Sequence, residues 1–387
     1  MMARKKILYL LTEDWFFCSH FIERATATQA AGYEVVIVAR EREHGERIRA
    51  AGLRFIGLEF ERRSMNLQTE LRQFWQILKL YRHERPDLVH QVSHKPILYG
   101  TVAALITGVP AIVNAPVGMG YIFSSEDWRA RLLRPFVCMA YRFLANPRRS
   151  RVIFENGDDL KIFVNWGAVR ASDAVLIRGA GVDLNRFRPV ARKNPTPVIA
   201  LVGRMLRDKG VNEYVTAAHQ LHDEGVVARF LLVGAPDPIN PSSIPSKTLE
   251  AWHGRKGLEW LGWCEDIPRL LEKIDVMCLP SYREGLPKSL IEAAACGLPI
   301  VTTDTPGCRE VVRHGDNGFL VAVGDIQQLA EVLKQLIQDP EMRHRMGSSG
   351  AEIAAKEFSS DLVIAETLSL YEKLPHLGNG IMSVDRQ

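Results

Sequence analysis

Two cations five residues apart, Arg204 and Lys209 in "GRMLRDKG", and two carboxylates eight apart, Glu284 and Glu292 in "EGLPKSLIEAAACG", have types and spacing that could do chemistry. A pair of cations can neutralise a diphosphate, and the free amides of a helix N-terminus add to the same attraction. Carboxylates repel phosphate, so Glu284 and Glu292 suit its neighbours, where each can accept hydrogen bonds from vicinal hydroxyls. A pyrophosphate flanked by a ribose and a hexose presents its groups in that order. The ligand implied is a nucleoside-diphosphate sugar.

The elements that must position these residues are legible around them. "VIALVGRMLRDKGVNEYVTAAHQL" reads as a strand, a glycine turn carrying the cations, and a helix beginning near Gly210. "DVMCLPSYREGLPKSLIEAAACG" repeats that order, with Pro287 at the first helical position and Gly297 at the stop. Throughout the chain short apolar runs alternate with amphipathic stretches: "KILYLL", "EVVIVA", "DLVHQV" and "AIVNAP", then "PVIALVG", "RFLLVG", "GLEWLG", "DVMCLP" and "PIVTTD". Unalternated β-rich runs separated by helices are strands covered on both faces, hence parallel sheets. The class is α/β, with two Rossmann-like domains. In such sheets ligands sit beyond the carboxyl ends of the strands, so two domains facing each other would enclose a cleft. We expect a first domain over 1–187, a linker over 188–197 ("RPVARKNPTP"), and a second domain over 198–358. A helix over 359–375 is expected to cross back to the first domain, followed by a disordered tail over 376–387.

A length of 387 residues with 47% apolar content suits two such domains. The six cysteines show no C-x-x-C pairing and read as apolar fillers in a reducing compartment, without disulfides or structural metal. The basic start "MMARKKILYLLTEDW" reads as a first strand, because its short apolar run meets Glu13 and Asp14 at once. The uncharged stretch from Pro96 to Ser125 is broken by Gly108, Pro110 and Pro116 and reads as a helix followed by a strand. Residues 1–190 hold 28 Lys+Arg against 19 Asp+Glu, whereas the rest hold 21 against 26, so the first half is the one expected to meet an anionic partner. A net charge of +4 and the lack of a recognised motif exclude nucleic acid.

In the first half, His94 and Lys95 follow the run "DLVHQV" and fall at a strand's carboxyl edge. His94 is therefore a candidate contact to the reacting sugar or acceptor. Residues 124–151 read as an amphipathic helix capped by Ser124, with Trp128, Leu132, Leu133, Phe136, Ala140, Tyr141 and Leu144 forming an apolar stripe among arginines. Trp128, Arg129, Arg131 and Arg134 are the candidate contacts to an anionic membrane surface or to the acceptor.

From about Arg178 to Val323 the sequence resembles the nucleotide-sugar domain of the family 4 retaining glycosyltransferases of bacterial surface-polysaccharide assembly, which have the GT-B fold. The resemblance rests on "GAGVDLNRF", "GRMLRDKG", the E-x7-E pair Glu284/Glu292 within "PSYREGLPKSLIEAAACGLPIV", and "CREVVRHGDNGFLV". It implies that Arg204 and Lys209 grip the diphosphate, Glu284 contacts the donor sugar and Glu292 binds the ribose. Gly285 and Leu286 would offer backbone amides, and Gly203 and Ser289 complete the donor-binding set. The stretch "HQVSHKPILYGTVAAL" matches the post-strand Lys-Pro and helix start of relatives. "LYLLTEDWFFCSHF" departs from the family by carrying Thr12, Glu13 and Asp14 where a glycine-rich turn is usual.

The resemblance implies transfer from a UDP- or GDP-sugar by front-face substitution with retention, in which the departing phosphate helps deprotonate the acceptor. No Asp-x-Asp occurs, so no divalent metal or other cofactor is expected, and Arg204 and Lys209 would neutralise the leaving group. A lipid-linked saccharide acceptor and a cytoplasmic location, peripheral on the inner membrane face, complete the expectation. Two other classes stay open: a nucleotide-sugar 2-epimerase, which would act on UDP-GlcNAc without an acceptor, and a noncatalytic sugar-nucleotide binder, which would release no UDP or GDP.

Overall fold

The computed structural model describes residues 4–60, 66–118, 128–192 and 194–374, with the side chains of 128–131, 133 and 134 excepted. The chain divides into two compact units, one running to Ala180 and resuming at Ser360, the other spanning Gly181–Ser359.

The first unit holds seven parallel strands: β1 (Lys6–Glu13), β2 (Glu34–Arg40), β3 (Arg54–Gly57), β4 (Leu88–Val92), β5 (Ala111–Ala115), β6 (Ser150–Phe154) and β7 (Ala174–Leu176). They lie in the order β3-β2-β1-β4-β5-β6-β7. The second unit orders β8 (Val198–Val202), β9 (Arg229–Val233), β10 (Leu258–Trp260), β11 (Val276–Leu279), β12 (Ile300–Thr303) and β13 (Gly318–Val321) as β10-β9-β8-β11-β12-β13. Each order reverses once, between β1 and β4 and between β8 and β11. At such a reversal the crossover helices diverge to opposite faces and leave a crevice at the carboxyl edge. Apart from "GLEWLG", which forms the edge strand β10, the runs legible in the sequence are inner strands, and every residue of β4, β5, β8, β11 and β12 is buried. The strands not anticipated are β3, β6, β7 and β13: β3, β7 and β13 are three or four residues long and only partly buried, and β6 carries Arg151 at its second position.

Three boundaries differ from the sequence reading. The expected linker 188–197 belongs to the second unit, and the crossing falls at 180/181. Val182 and Phe187 are core residues of that unit, Val182 N–H donates to Phe358 O at 2.8 Å, and the Arg192 guanidinium donates to Cys296 O at 2.7 Å. The helix expected over 124–151 is Trp128–Leu144, passing through Pro135; Pro147 ends the segment and Arg151 lies in β6, paired with Asp173 at 3.0 Å. Ser124 lies outside the described residues, as does the tail 376–387. Pro287 is the N-cap rather than the first helical residue.

The last described helix, Ser360–Glu372, packs in the first unit on the helix Ile22–Ala30. Tyr371 closes a buried chain of hydrogen bonds, to Tyr9 Oη at 2.8 Å and to His90 Nδ1 at 2.6 Å, and Ser360 Oγ donates to Glu23 at 2.8 Å. Burial pushes the His90 pKa well below the ordinary histidine value, so the ring is held neutral.

Candidate active site

The crevice between β8 and β11 is built by the two segments that the charge pattern singles out. Gly210 caps the helix Val211–Asp223 at φ +72°, and a Cβ there would collide with the Pro280 carbonyl, so only glycine lets the post-β8 loop lie against the post-β11 loop. The contact is sealed at the Asp208 carbonyl, which accepts from Ser281 Oγ at 2.9 Å and from Tyr282 N–H at 2.9 Å. Tyr282 Oη also donates to Glu213 at 2.8 Å. These contacts fix two backbones whose side chains then meet: Lys209 Nζ lies 2.5 Å from Glu284 Oε1. A lysine and a glutamate separated by 75 residues in sequence are thus a bonded pair at the topological switch point.

From Glu284 the chain runs through Gly285 and the buried Leu286 to Pro287, which caps the helix Lys288–Ala295 without a side-chain hydrogen bond to its first amides. Ser289 is half-buried in the first turn. Glu292, one turn further on, is buried, with Lys288 Nζ at 3.6 Å. A carboxylate offers two oxygens that can accept from hydroxyl donors.

Arg204, just past Gly203 at the end of β8, turns toward the other neighbouring strand. Its Nη1 lies 2.8 Å from Oδ2 of Asp237, which follows β9. The structure therefore joins Lys209 to Glu284 and Arg204 to Asp237, along the carboxyl ends of three adjacent strands. Asp237 was not anticipated. Its signal is its place in "VGAPDP", a post-strand turn one strand over from the cations. Among the described residues no three His, Cys, Asp or Glu side chains gather as a metal-binding group.

The first unit has the equivalent crevice between β1 and β4. Ser93, just past β4, caps the helix His94–Thr107 at φ +78°. His94 Nδ1 is hydrogen-bonded to Tyr141 Oη, with the rings edge to face at 5.6 Å. Lys95 Nζ donates to Glu70 at 2.7 Å, and Tyr99 Oη donates to the other oxygen of that carboxylate. The acidic turn after β1 has a structural account: buried Asp14 accepts from Arg42 N–H at 2.6 Å and His44 N–H at 3.0 Å, stapling the post-β1 turn to the post-β2 loop. Where the resemblance leads one to expect glycines, this chain has a carboxylate that caps a neighbouring loop.

The side chains of Trp128, Arg129, Arg131 and Arg134 lie outside those described. The rest of that helix corrects the stripe read from sequence. Tyr141 points inward and is fully buried, while Leu132, Phe136, Met139 and Phe143 are 62%, 61%, 54% and 69% exposed. Those four follow a spacing of four, three and four, one face of a helix. Among the described residues no helix is long and apolar enough to cross a membrane.

Residues 184–353 match the family described as Glycosyl transferases group 1, and residues 6–156 match Glycosyl transferase 4-like. The alpha-maltose-1-phosphate synthase of Mycolicibacterium smegmatis is 30% identical over 325 residues, 75% of this chain and 80% of that protein. The chain belongs to the group 1, family-4-like glycosyltransferases. Another family member, the N,N'-diacetylbacillosaminyl-diphospho-undecaprenol alpha-1,3-N-acetylgalactosaminyltransferase of Campylobacter jejuni, is 27% identical over 354 residues, 88% of this chain and 91% of that one. Among solved structures, Anabaena HepE in complex with UDP-glucose matches with a TM-score of 0.75 at 21% identity, covering 94% of this chain and 99% of that one. The two Rossmann-like units are those of the GT-B glycosyltransferases, and the protein is an enzyme of that class.

Proposed function

We propose that this glycosyltransferase moves a sugar from a UDP- or GDP-sugar to a hydroxyl of a polyprenyl-diphosphate-linked saccharide, with retention and without a divalent metal. The observation that carries the proposal is the Lys209–Glu284 pair at 2.5 Å, seated where a parallel sheet offers its ligand crevice. The C. jejuni relative supports the acceptor class, because its name specifies a saccharide on diphospho-undecaprenol.

Each residue has a stated task in this reading. Arg204 and Lys209 hold the diphosphate and stabilise the charge that builds on it as the glycosidic bond breaks. Glu284, already beside Lys209, takes the hydroxyls of the donor sugar, and Glu292 takes those of the ribose. Gly203, Gly285, Leu286 and Ser289 line the same loops and contribute backbone and hydroxyl groups. The departing phosphate accepts the acceptor's proton on the face from which it leaves, which preserves the anomeric configuration. His94, hydrogen-bonded to Tyr141, serves the acceptor or the reacting sugar.

The enzyme works at an anionic membrane surface in this proposal, with the exposed stripe Leu132, Phe136, Met139 and Phe143 as the apolar contact. Arg142 on the same helix and Arg148 and Arg149 just after it are exposed, and the helix has no acidic residue in its first turn. Apolar rings beside cations are the composition of an interfacial helix. In vesicle pelleting the chain is expected to sediment with anionic vesicles and several-fold less with neutral ones, and a Phe136→Asp, Phe143→Asp double variant to stay in the supernatant. Equal, negligible binding to both vesicle types would reject membrane contact.

The donor is tested by a thermal-shift panel of UDP, GDP, ADP and their common sugars. A ligand at about 100 times its Kd stabilises the folded state by about 2.7 kcal/mol, which is a shift of several degrees. Failure of every uridine and guanosine diphosphate to raise Tm removes the donor assignment. With the selected donor and a prenyl-linked saccharide, turnover should survive excess chelator and the product should keep the donor's anomeric configuration. An inverted product or an abolished rate would overturn the corresponding claim.

A further inference from the structure

Between β9 and the helix Ser246–Trp252 runs "APDPINPSSIP", which the donor reading leaves without a task. It lies across the cation-bearing loop and is bonded to it at nearly every step. Met205 N–H donates to Ala235 O at 3.0 Å, Arg207 N–H to Ser242 O at 2.8 Å, and Ile244 N–H to Met205 O at 2.9 Å. Asp208 N–H donates to Ser242 Oγ at 3.1 Å, and Leu206 forms an antiparallel bridge with Ser243. The start of the strap is fixed as well. Gly234, at φ +143°, packs so tightly on the Gly203 carbonyl that a Cβ would collide with it, and Trp260 Nε1 donates to Gly234 O at 2.9 Å.

Asp237 stands in this strap. Its N–H donates to Ser243 Oγ at 3.0 Å, its carbonyl accepts from Asn240 N–H at 2.8 Å, and its carboxylate meets Arg204 at 2.8 Å. An exposed ion pair between two freely moving side chains orders neither partner much. Here the carboxylate sits on a short side chain whose backbone is held on both sides, so it is the anchor and the long guanidinium is the member that becomes ordered. Carboxylates behind metal-binding side chains orient them, and their loss typically costs about 10- to 100-fold in activity; a carboxylate behind a guanidinium orients it by the same hydrogen-bonding logic.

We infer that Asp237 is a positioning residue for catalysis: it aims Arg204 at the leaving diphosphate, and through its charge it also opposes tight binding of that diphosphate in the ground state. The inference rests on the reading of Arg204 as a diphosphate ligand. It predicts opposite effects on binding and on turnover. A neutral Asp237→Asn side chain removes a negative charge near the diphosphate, so affinity for it rises or holds. Arg204, released from its anchor, meets the developing charge less well, so kcat falls.

The test measures Kd for UDP and GDP by calorimetry, kcat as nucleoside diphosphate released from the UDP- or GDP-sugar that stabilises the wild-type chain, and Tm. For Asp237→Asn we expect Tm near wild type, Kd unchanged or up to several-fold tighter, and kcat reduced about 10- to 100-fold. Asp237→Glu, which keeps the charge, should recover most of the rate. In an Arg204→Ala background Asp237→Asn should have little further effect on kcat, since the two act as one unit. A wild-type kcat in Asp237→Asn overturns the inference, as does an equal loss in the Arg204→Ala background. A parallel fall of Tm, affinity and kcat in both Asp237 variants also overturns it, assigning the strap a merely structural role. If Arg204→Ala itself leaves Kd and kcat at wild-type values, the donor reading fails instead.

Discussion

Replacing Arg204 by alanine is expected to lower kcat/KM by about two to four orders of magnitude while leaving Tm nearly unchanged. The rate effect has two sources. A donor aimed at charge that develops in the transition state is commonly worth 10²–10³ when removed, and cationic groups at transferring phosphates are worth more. In addition, the Asp237 carboxylate at 2.8 Å would remain without this guanidinium, its charge then raising KM by opposing the diphosphate rather than lowering kcat. Stability should be spared because the guanidinium is about 41% exposed, and a pair so placed contributes about 0–1 kcal/mol. Arg204→Lys should recover part of the rate, since it restores the charge but not the planar fork. Nucleoside diphosphate release measured on all three proteins decides the matter, and a near-wild-type rate in the alanine variant defeats the assignment.

The second large effect is expected from Gly210→Ala, a single methyl group that touches no ligand. Gly210 combines φ +72° with contact to the Pro280 carbonyl. A side chain at a left-handed position costs about 1–3 kcal/mol, and forcing the loops apart adds about as much again. For a unit of this size a loss of about 2–6 kcal/mol lowers Tm by roughly 5–20 °C. Turnover should fall as well, because the same contact sets Lys209 against Glu284. A variant that folds with wild-type Tm and rate would show that the two loops are not held by this contact. Asp208→Ala is the matching control: it keeps the backbone carbonyl that Ser281 and Tyr282 use, so the seam should survive.

How much could be read in advance follows from how each residue is constrained. The central strands were legible because burial on both faces demands unbroken apolar runs, as in "VIALV" and "VMCL". The edge strand β3 and the short β6 and β7 are half-covered or carry an arginine, and their pattern is not distinct from that of a loop. The placement of Arg204, Lys209, Glu284 and Glu292 after β8 and β11 was legible because each lies in a segment whose strand, turn and helix could be read. The outward turn of Leu132, Phe136, Met139 and Phe143 was not, because the helix Trp128–Leu144 has apolar residues on two faces. Composition alone does not tell which face meets the sheet; the inward packing of Tyr141 beside His94 does.

The amino-acid sequence by itself determined that this chain forms two parallel-sheet units, that Arg204, Lys209, Glu284 and Glu292 stand after two of its strands, and the family to which it belongs. Those properties follow from local periodicity and from motifs a few residues long. Only the tertiary structure decided the partners: Lys209 with Glu284, Arg204 with Asp237, Asp14 with the loop after β2, and Tyr371 with His90. Each pair joins residues brought together by strand order and loop packing across tens to hundreds of positions. A periodic pattern carries no record of such distances, whereas the sheet with its order reversed at β8 and β11 brings the first two of these pairs to one edge.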